Sequence, residues 1–324
     1  MTVQDYYQAW HQATQIEDQG GLWRYYYYNT EEDDKSGWEY CSRQIKRWRS
    51  LNRARLLNIL DHRTQVELDL IDGDGEAIYN LAVIRTTLTR YRQLGQVKAQ
   101  AIRQREKLTW AKRGGQWVIT ASQQEVDGYP WPPEPLQSSM QLQLLARRRW
   151  PEISTVASGQ YNRQRAVSYA ARWWNDFNPQ YKRFAVDCTN FVSQTLRAGG
   201  APMTYVGQPR GWWYLGSGGE SDRWSLSWAV AHSLRWYLPT SQTGLHASEV
   251  ESADQLQLGD VISYDFDGDG KWQHSTVVVD FDAYGQPLVA AHTVAAFRRY
   301  WTYQDSPAWS ENIQYKFWHL PERF

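Results

Sequence analysis

The sequence predicts an α+β protein in two parts, and three features carry that reading. Helical periodicity near the start gives way to long alternating strands, a proline-dense stretch interrupts the chain at Tyr129 to Pro135, and the remainder opens with helical segments and closes with short apolar strands. Helices followed by runs of strands, rather than strict alternation of the two, define the α+β class. The expected boundaries are 1–128 for an N-terminal domain, 129–150 for a Pro-rich linker with a short helix, and 151–324 for a second domain.

In the first part, Val3 to Asp18 suits a helix, and Ile45, Trp48 and Leu51 recur at helical spacing within Trp38 to Leu51. Strands are expected at Leu56 to Ile71, Ala77 to Tyr91, Val97 to Trp110 and Trp117 to Gln123, with turns at Asp72-Gly73-Asp74-Gly75 and Arg113-Gly114-Gly115. Helices under one long antiparallel sheet resemble a nuclear-transport-factor-like cone. His11 and His62 read as lone histidines, and Arg103, Arg105, Glu106 and Lys107 as the solvated face of a strand. This part carries no catalytic constellation; its expected role is to position or recognise a partner.

Four prolines at 130, 132, 133 and 135 favour extended geometry and exclude a helix or sheet interior, which makes the stretch a linker or strap. Arg147, Arg148 and Arg149 then read as the solvated basic end of a short helix.

Composition bounds the function. With 42% hydrophobic and 22% charged residues over 324 positions, two globular cores are expected. Lysine plus arginine equals aspartate plus glutamate at 35 each, so net charge draws the chain to neither nucleic acid nor an anionic membrane. No run of 18 apolar residues predicts a transmembrane segment, and Met1 to Tyr6 lacks the basic and apolar regions of an export signal. A cell-envelope or extracellular location therefore requires a signal already removed; otherwise the cytoplasm is expected. The 19 tryptophans and 21 tyrosines suit cores more than a glycan-binding surface. Two cysteines exclude a disulfide framework. Cys41 has no base near it in sequence and reads as structural, and no cofactor is expected.

The chemistry concentrates in the second part. In Asp187-Cys188-Thr189-Asn190-Phe191-Val192-Ser193-Gln194-Thr195-Leu196, Asp187 or Thr189 can start a helix, Phe191, Val192 and Leu196 form its apolar face, and Gly199-Gly200 ends it. Cys188 then sits at a helix N-terminus, where unpaired N–H groups favour the thiolate. A strand at Leu258 to Tyr264, a tight Asp265 to Gly270 loop, a strand opening at His274, and an apolar run ending at His292 follow. A thiol, a histidine and a third polar group are what cysteine-dependent acyl transfer needs: His274 would take the proton, and His292 is the candidate for the group that orients its imidazole.

These residues resemble the Putative amidase domain family of Gram-positive bacteria, a relative of NlpC-type cell-wall peptidases in the papain-like group. The likeness rests on Tyr161-Asn162-Arg163, Ala166, Tyr169-Ala170, Asn178-Pro179, Asp187 to Gln194, Gly199-Gly200, Leu258 to Val261, the Asp265 to Gly270 loop, His274-Ser275 and Ala291-His292-Thr293. It covers about 161–320, half the chain. It implies a papain-like fold with a helix-borne cysteine on an antiparallel sheet, Cys188 as nucleophile, His274 as base and His292 as third residue. It further implies a cysteine amidase or peptidase acting on a peptide or peptidoglycan stem, hence a hydrolase of C–N bonds. Transamidation on the same residues, or a binding module that kept the fold, are the alternatives. The oxyanion donors would be the Cys188 N–H with a further group, Asp187 being one candidate.

Two further stretches stay open. Trp212, Trp213 and Tyr214, before the glycines at 216, 218 and 219, either line a substrate groove or cap the core. Asp265, Asp267 and Asp269 open like a calcium loop, but its twelfth position is Thr276 where a bidentate glutamate belongs, so the hairpin reading is preferred and no metal is expected.

Overall fold

The structure, a computed structural model, describes residues 3–15, 22, 24–26, 35–73, 77–131, 159–206 and 210–324. It divides into two compact units, Met1–Glu125 with Tyr303–Pro307, and Val126–Thr302 with Ala308–Phe324. Pro132 to Arg149, with most of the expected linker, its helix and its basic run, lies outside the described residues, as does the Asp74-Gly75 half of the first turn. Among the described residues no helix is long and apolar enough to cross a membrane.

In the first unit, α1 (Val3–Gln15) and α2 (Lys35–Ala54) precede β1 (Asn58–Gly73), β2 (Ile78–Gln93), β3 (Gln96–Arg113) and β4 (Gln116–Gln124), paired antiparallel in sequence order. Gly114 and Gly115 (φ 55° and 82°) make the two-residue β3–β4 turn, a conformation that glycine adopts without steric cost. Tyr6, Ala9 and Ala13 share one face of α1, Cys41 and Ile45 one face of α2, and both pack with Val83, Leu108 and Trp110.

Two expectations for this unit fail. Glu106 belongs to no solvated face: it is buried, pairs with Arg85 at 2.8 Å and accepts from the Tyr7 hydroxyl at 2.7 Å. Arg85 also donates to Gln104 at 2.7 Å and lies 4.1 Å over the Trp10 ring. A pleat turns every second side chain inward, so a charge run on one strand is split between core and solvent. Nor are His11 and His62 lone, since their rings stack at 5.3 Å.

In the second unit α3 (Arg163–Trp173) starts at Asn162, whose side chain accepts from the Arg165 N–H at 2.9 Å, and α4 (Cys188–Ala198) follows. Short ladders β5 (Thr204–Tyr205) with β6 (Gly211–Trp212) and β7 (Tyr214–Leu215) with β8 (Arg223–Trp224) lead to α5 (Leu226–Ala229) and α6 (Ala231–Thr240). Then come β9 (Ser248–Val250), β10 (Val261–Asp265), β11 (His274–Phe281), β12 (Pro287–Ala291), β13 (Ala295–Tyr300) and β14 (Gln314–His319). They form an antiparallel array in the order β13-β12-β11-β10-β14-β9. Val261, Val277, Val279 and Ala290 meet Phe191, Val192 and Leu196 of α4 and Leu234 and Leu238 of α6 in one core. The unit is thus mixed α/β with the cysteine helix laid on one face of a large antiparallel sheet.

Candidate active site around Cys188

Cys188 is the first residue of α4 and is buried. Its Sγ lies 3.7 Å from Thr189 Oγ1 and 3.9 Å from the Gln273 carbonyl oxygen. Burial pushes the thiol up to about 11, against which the backbone N–H of Ser275 and the Thr189 hydroxyl pull down, while the Asp187 charge adds to the rise.

Asp187 holds the N-cap position without capping the helix. One carboxylate oxygen accepts from the Phe184 N–H at 3.0 Å and from Asn190 Nδ2 at 2.9 Å, and the other meets His292 Nδ1 at 2.7 Å. Its own N–H points to Thr293 Oγ1 at 3.3 Å, so it is spent on a protein acceptor and is no oxyanion donor in this arrangement.

His292 follows β12 and is held from three sides. Nε2 lies 2.7 Å from the Trp173 carbonyl, the ring stacks on Phe191 at 4.1 Å, and Phe177 meets it edge-on at 5.0 Å. With both nitrogens bonded elsewhere, it orients no second histidine.

His274 stands apart from both. Directly opposite residues of an antiparallel pair share a face, and the register sets Ser263 against Ser275 and Tyr264 against His274. Ser275 Oγ is 3.4 Å from Thr189 Oγ1, which fixes the Ser275 face as the one under α4. The His274 ring leaves from the opposite face, packed beside Phe266 and Tyr264 at 5.8 and 5.5 Å. Burial pushes it down to about 4, opposed by Asp127. Among the described residues no hydrogen bond joins Cys188 to either histidine. The expected Cys188, His274 and His292 constellation is therefore not assembled: a single step of strand parity sends the His274 ring to the wrong side.

Trp212, Trp213 and Tyr214 are buried, which overturns the groove reading. Trp212 Nε1 donates to Ser193 Oγ at 3.0 Å, Trp213 Nε1 to the Arg210 carbonyl at 2.7 Å, and the Tyr214 hydroxyl accepts from the Lys182 N–H at 2.6 Å. The polar residues of α4 are what the sequence reading missed. Asn190 Oδ1 accepts from Trp228 Nε1 at 2.9 Å, Ser193 donates to the Trp228 carbonyl at 2.9 Å, and Gln194 accepts from Tyr169 at 2.6 Å. Polar side chains on both flanks of an apolar helical stripe were the available signal.

The aspartate loop is a backbone device. Asp265 accepts from the Gly268 and Gly270 N–H groups at 2.8 and 2.7 Å, Asp267 from Tyr129 at 2.7 Å and Gln273 at 3.1 Å, and Asp269 pairs with Lys271 at 3.0 Å. The three carboxylates do not converge, and no cluster of three or more His, Cys, Asp or Glu fit for a metal exists among the described residues.

Comparison with known proteins adds three findings. A relative in Bacillus subtilis (strain 168), the uncharacterized protein YhbB, is 50% identical over 162 residues, covering 50% of this chain and 50% of the relative; the chain thus matches about half of that protein's length. No solved structure matches. Residues 160–318, the segment bearing Cys188, His274 and His292, match the family described as Putative amidase domain.

Proposed function

We propose that the protein is a cysteine amidase of papain-like architecture that cleaves a peptide amide, with the peptidoglycan stem as substrate class. The observation that supports this best is the place of Cys188 at the start of α4, where the backbone of Ser275 also acts to lower the thiol. Both the helix terminus and that backbone contact favour a thiolate once solvent or substrate relieves the burial. The thiolate attacks the amide carbonyl, a C–S bond forms, the amine leaves with a proton, and water cleaves the thioester.

His274 is the proton acceptor in this reading. The backbone on both sides of it, the Gln273 carbonyl and the Ser275 N–H, already borders the thiol. To reach the sulfur, the ring would have to pass to the α4 face of the sheet, which requires the Tyr264–His274 pairing at the start of β11 to open. The resting arrangement is not the reacting one. Burial raises the thiol and lowers the imidazole, so proton transfer from one to the other is uphill in the resting arrangement.

Digestion of mixed peptidoglycan fragments by the wild type and by Cys188→Ala, read by mass spectrometry, tests this. Cleavage that disappears in the variant supports it, and intact fragments with both proteins sink the substrate class. Adding a free amine separates hydrolysis from transamidation. The neutral, buried thiol also favours a second reading, a non-catalytic binding module. Iodoacetamide labelling of Cys188 well below pH 8 would rule that out.

A further inference from the structure

The Asp187 and His292 pair has a chemistry of its own. The Trp173 carbonyl only accepts, so Nε2 of His292 carries a proton. Nδ1 faces a carboxylate oxygen at 2.7 Å, and a bare nitrogen there would set two acceptors against each other. Asp187 receives the Phe184 N–H and Asn190 Nδ2 on its other oxygen, so a single proton lies between the pair, and imidazole is the stronger base of the two. The pair is accordingly an imidazolium and a carboxylate, both nearly excluded from water. Other groups packed on the ring are Phe191, stacked, and Phe177, edge-on, whose own ring has the Arg183 guanidinium 4.0 Å from its centroid.

The backbone is bent to serve the same contact. Thr293 sits at φ 77°, a conformation strained for a β-branched residue, and its hydroxyl takes the Asp187 N–H. Two consecutive residues after β12 are thus both committed to the residue that precedes Cys188.

We infer that His292 is a positioning residue held as an imidazolium, which fixes the start of α4 through Asp187 and cancels the Asp187 charge at the Cys188 sulfur. This rests on the reading of Cys188 as nucleophile and assigns His292 a different part from that of a triad's third member. An unpaired carboxylate beside the thiol would oppose thiolate formation. The imidazolium removes that opposition without touching the sulfur.

The experiment is site-resolved alkylation of the full chain with iodoacetamide at pH 8, the Cys188 peptide being quantified by mass spectrometry. His292→Gln leaves Asp187 uncompensated and is expected to slow alkylation of Cys188 at least tenfold. Removing the Asp187 charge in the same protein, as His292→Gln with Asp187→Asn, is expected to restore the rate to within about threefold of wild type. A merely structural pair would give a double variant no faster than the single one, and that result, or an unchanged rate in His292→Gln, overturns the inference. Nitrogen-15 spectra of the wild type supply a readout free of folding effects: both ring nitrogens of His292 protonated at neutral pH supports it, one bare nitrogen overturns it. Neither readout needs an amide to be cleaved, so absence of amidase activity would sink the functional reading and leave this one standing or falling by itself.

Discussion

The two cysteines make an instructive pair. Cys41 and Cys188 are both buried, both free of disulfides, and both pushed by burial to about 11. Around Cys41, inside α2, the Tyr26 and Trp10 side chains hydrogen-bond the sulfur and, with Arg85, oppose the rise, while Glu106 adds to it. Around Cys188 the neighbours are backbone groups of β11 and a helix start, with a buried ion pair one residue away. Desolvation alone does not distinguish a reactive thiol from an inert one. The difference lies in the setting: Cys41 is inside a helix among side-chain donors, and Cys188 is the first residue of a helix laid against the backbone of the sheet.

The sharpest way to break the comparison is to remove each thiol in turn. With Cys188 as the proposed nucleophile, Cys188→Ala is expected to lower amide hydrolysis by at least about 10³-fold, whereas Cys41→Ala should stay within about twofold; equal losses would erase the distinction. The ion pairs that flank the two thiols come next. Glu106→Ala strands the buried Arg85 guanidinium and should cost about 3–5 kcal/mol in urea unfolding, a loss confined to the first unit if the units unfold separately.

Acid stability separates the two units by histidine. His62 and His274 are each held down to about 4, so their contribution is fully present above the ordinary value of 6.5 and is lost as pH falls towards 4. Each is worth about 3 kcal/mol over that window at 1.36 kcal/mol per pKa unit. His274→Gln should flatten the acid limb of a melting curve by that amount. The alkaline limb gives the smallest effect. Each thiol is held protonated in the fold, so its contribution is present below about 9 and is lost as pH rises towards 11, about 2 to 3 kcal/mol apiece. Unequal flattening by Cys41→Ala and Cys188→Ala would show that the two burials differ after all.

The sequence by itself determined the cysteine helix, because an apolar stripe at 191, 192 and 196 before paired glycines has one economical local solution. It also determined the four long strands of the first part and the Gly114-Gly115 turn, where backbone chirality leaves little choice. Only the tertiary structure decided which face of β11 carries His274. That strand is buried on both faces, so its sequence shows no alternation from which parity could be read. The partnership of Asp187 with His292 spans 105 residues and depends on where the turn after β12 ends. The burial of Trp212, Trp213 and Tyr214 was equally hidden, since an aromatic cluster looks the same in sequence whether it faces solvent or the polar side chains of a neighbouring helix. Local periodicity is written in adjacent residues, but the facing of a doubly buried strand and the pairing of distant charges are settled only when the layers pack.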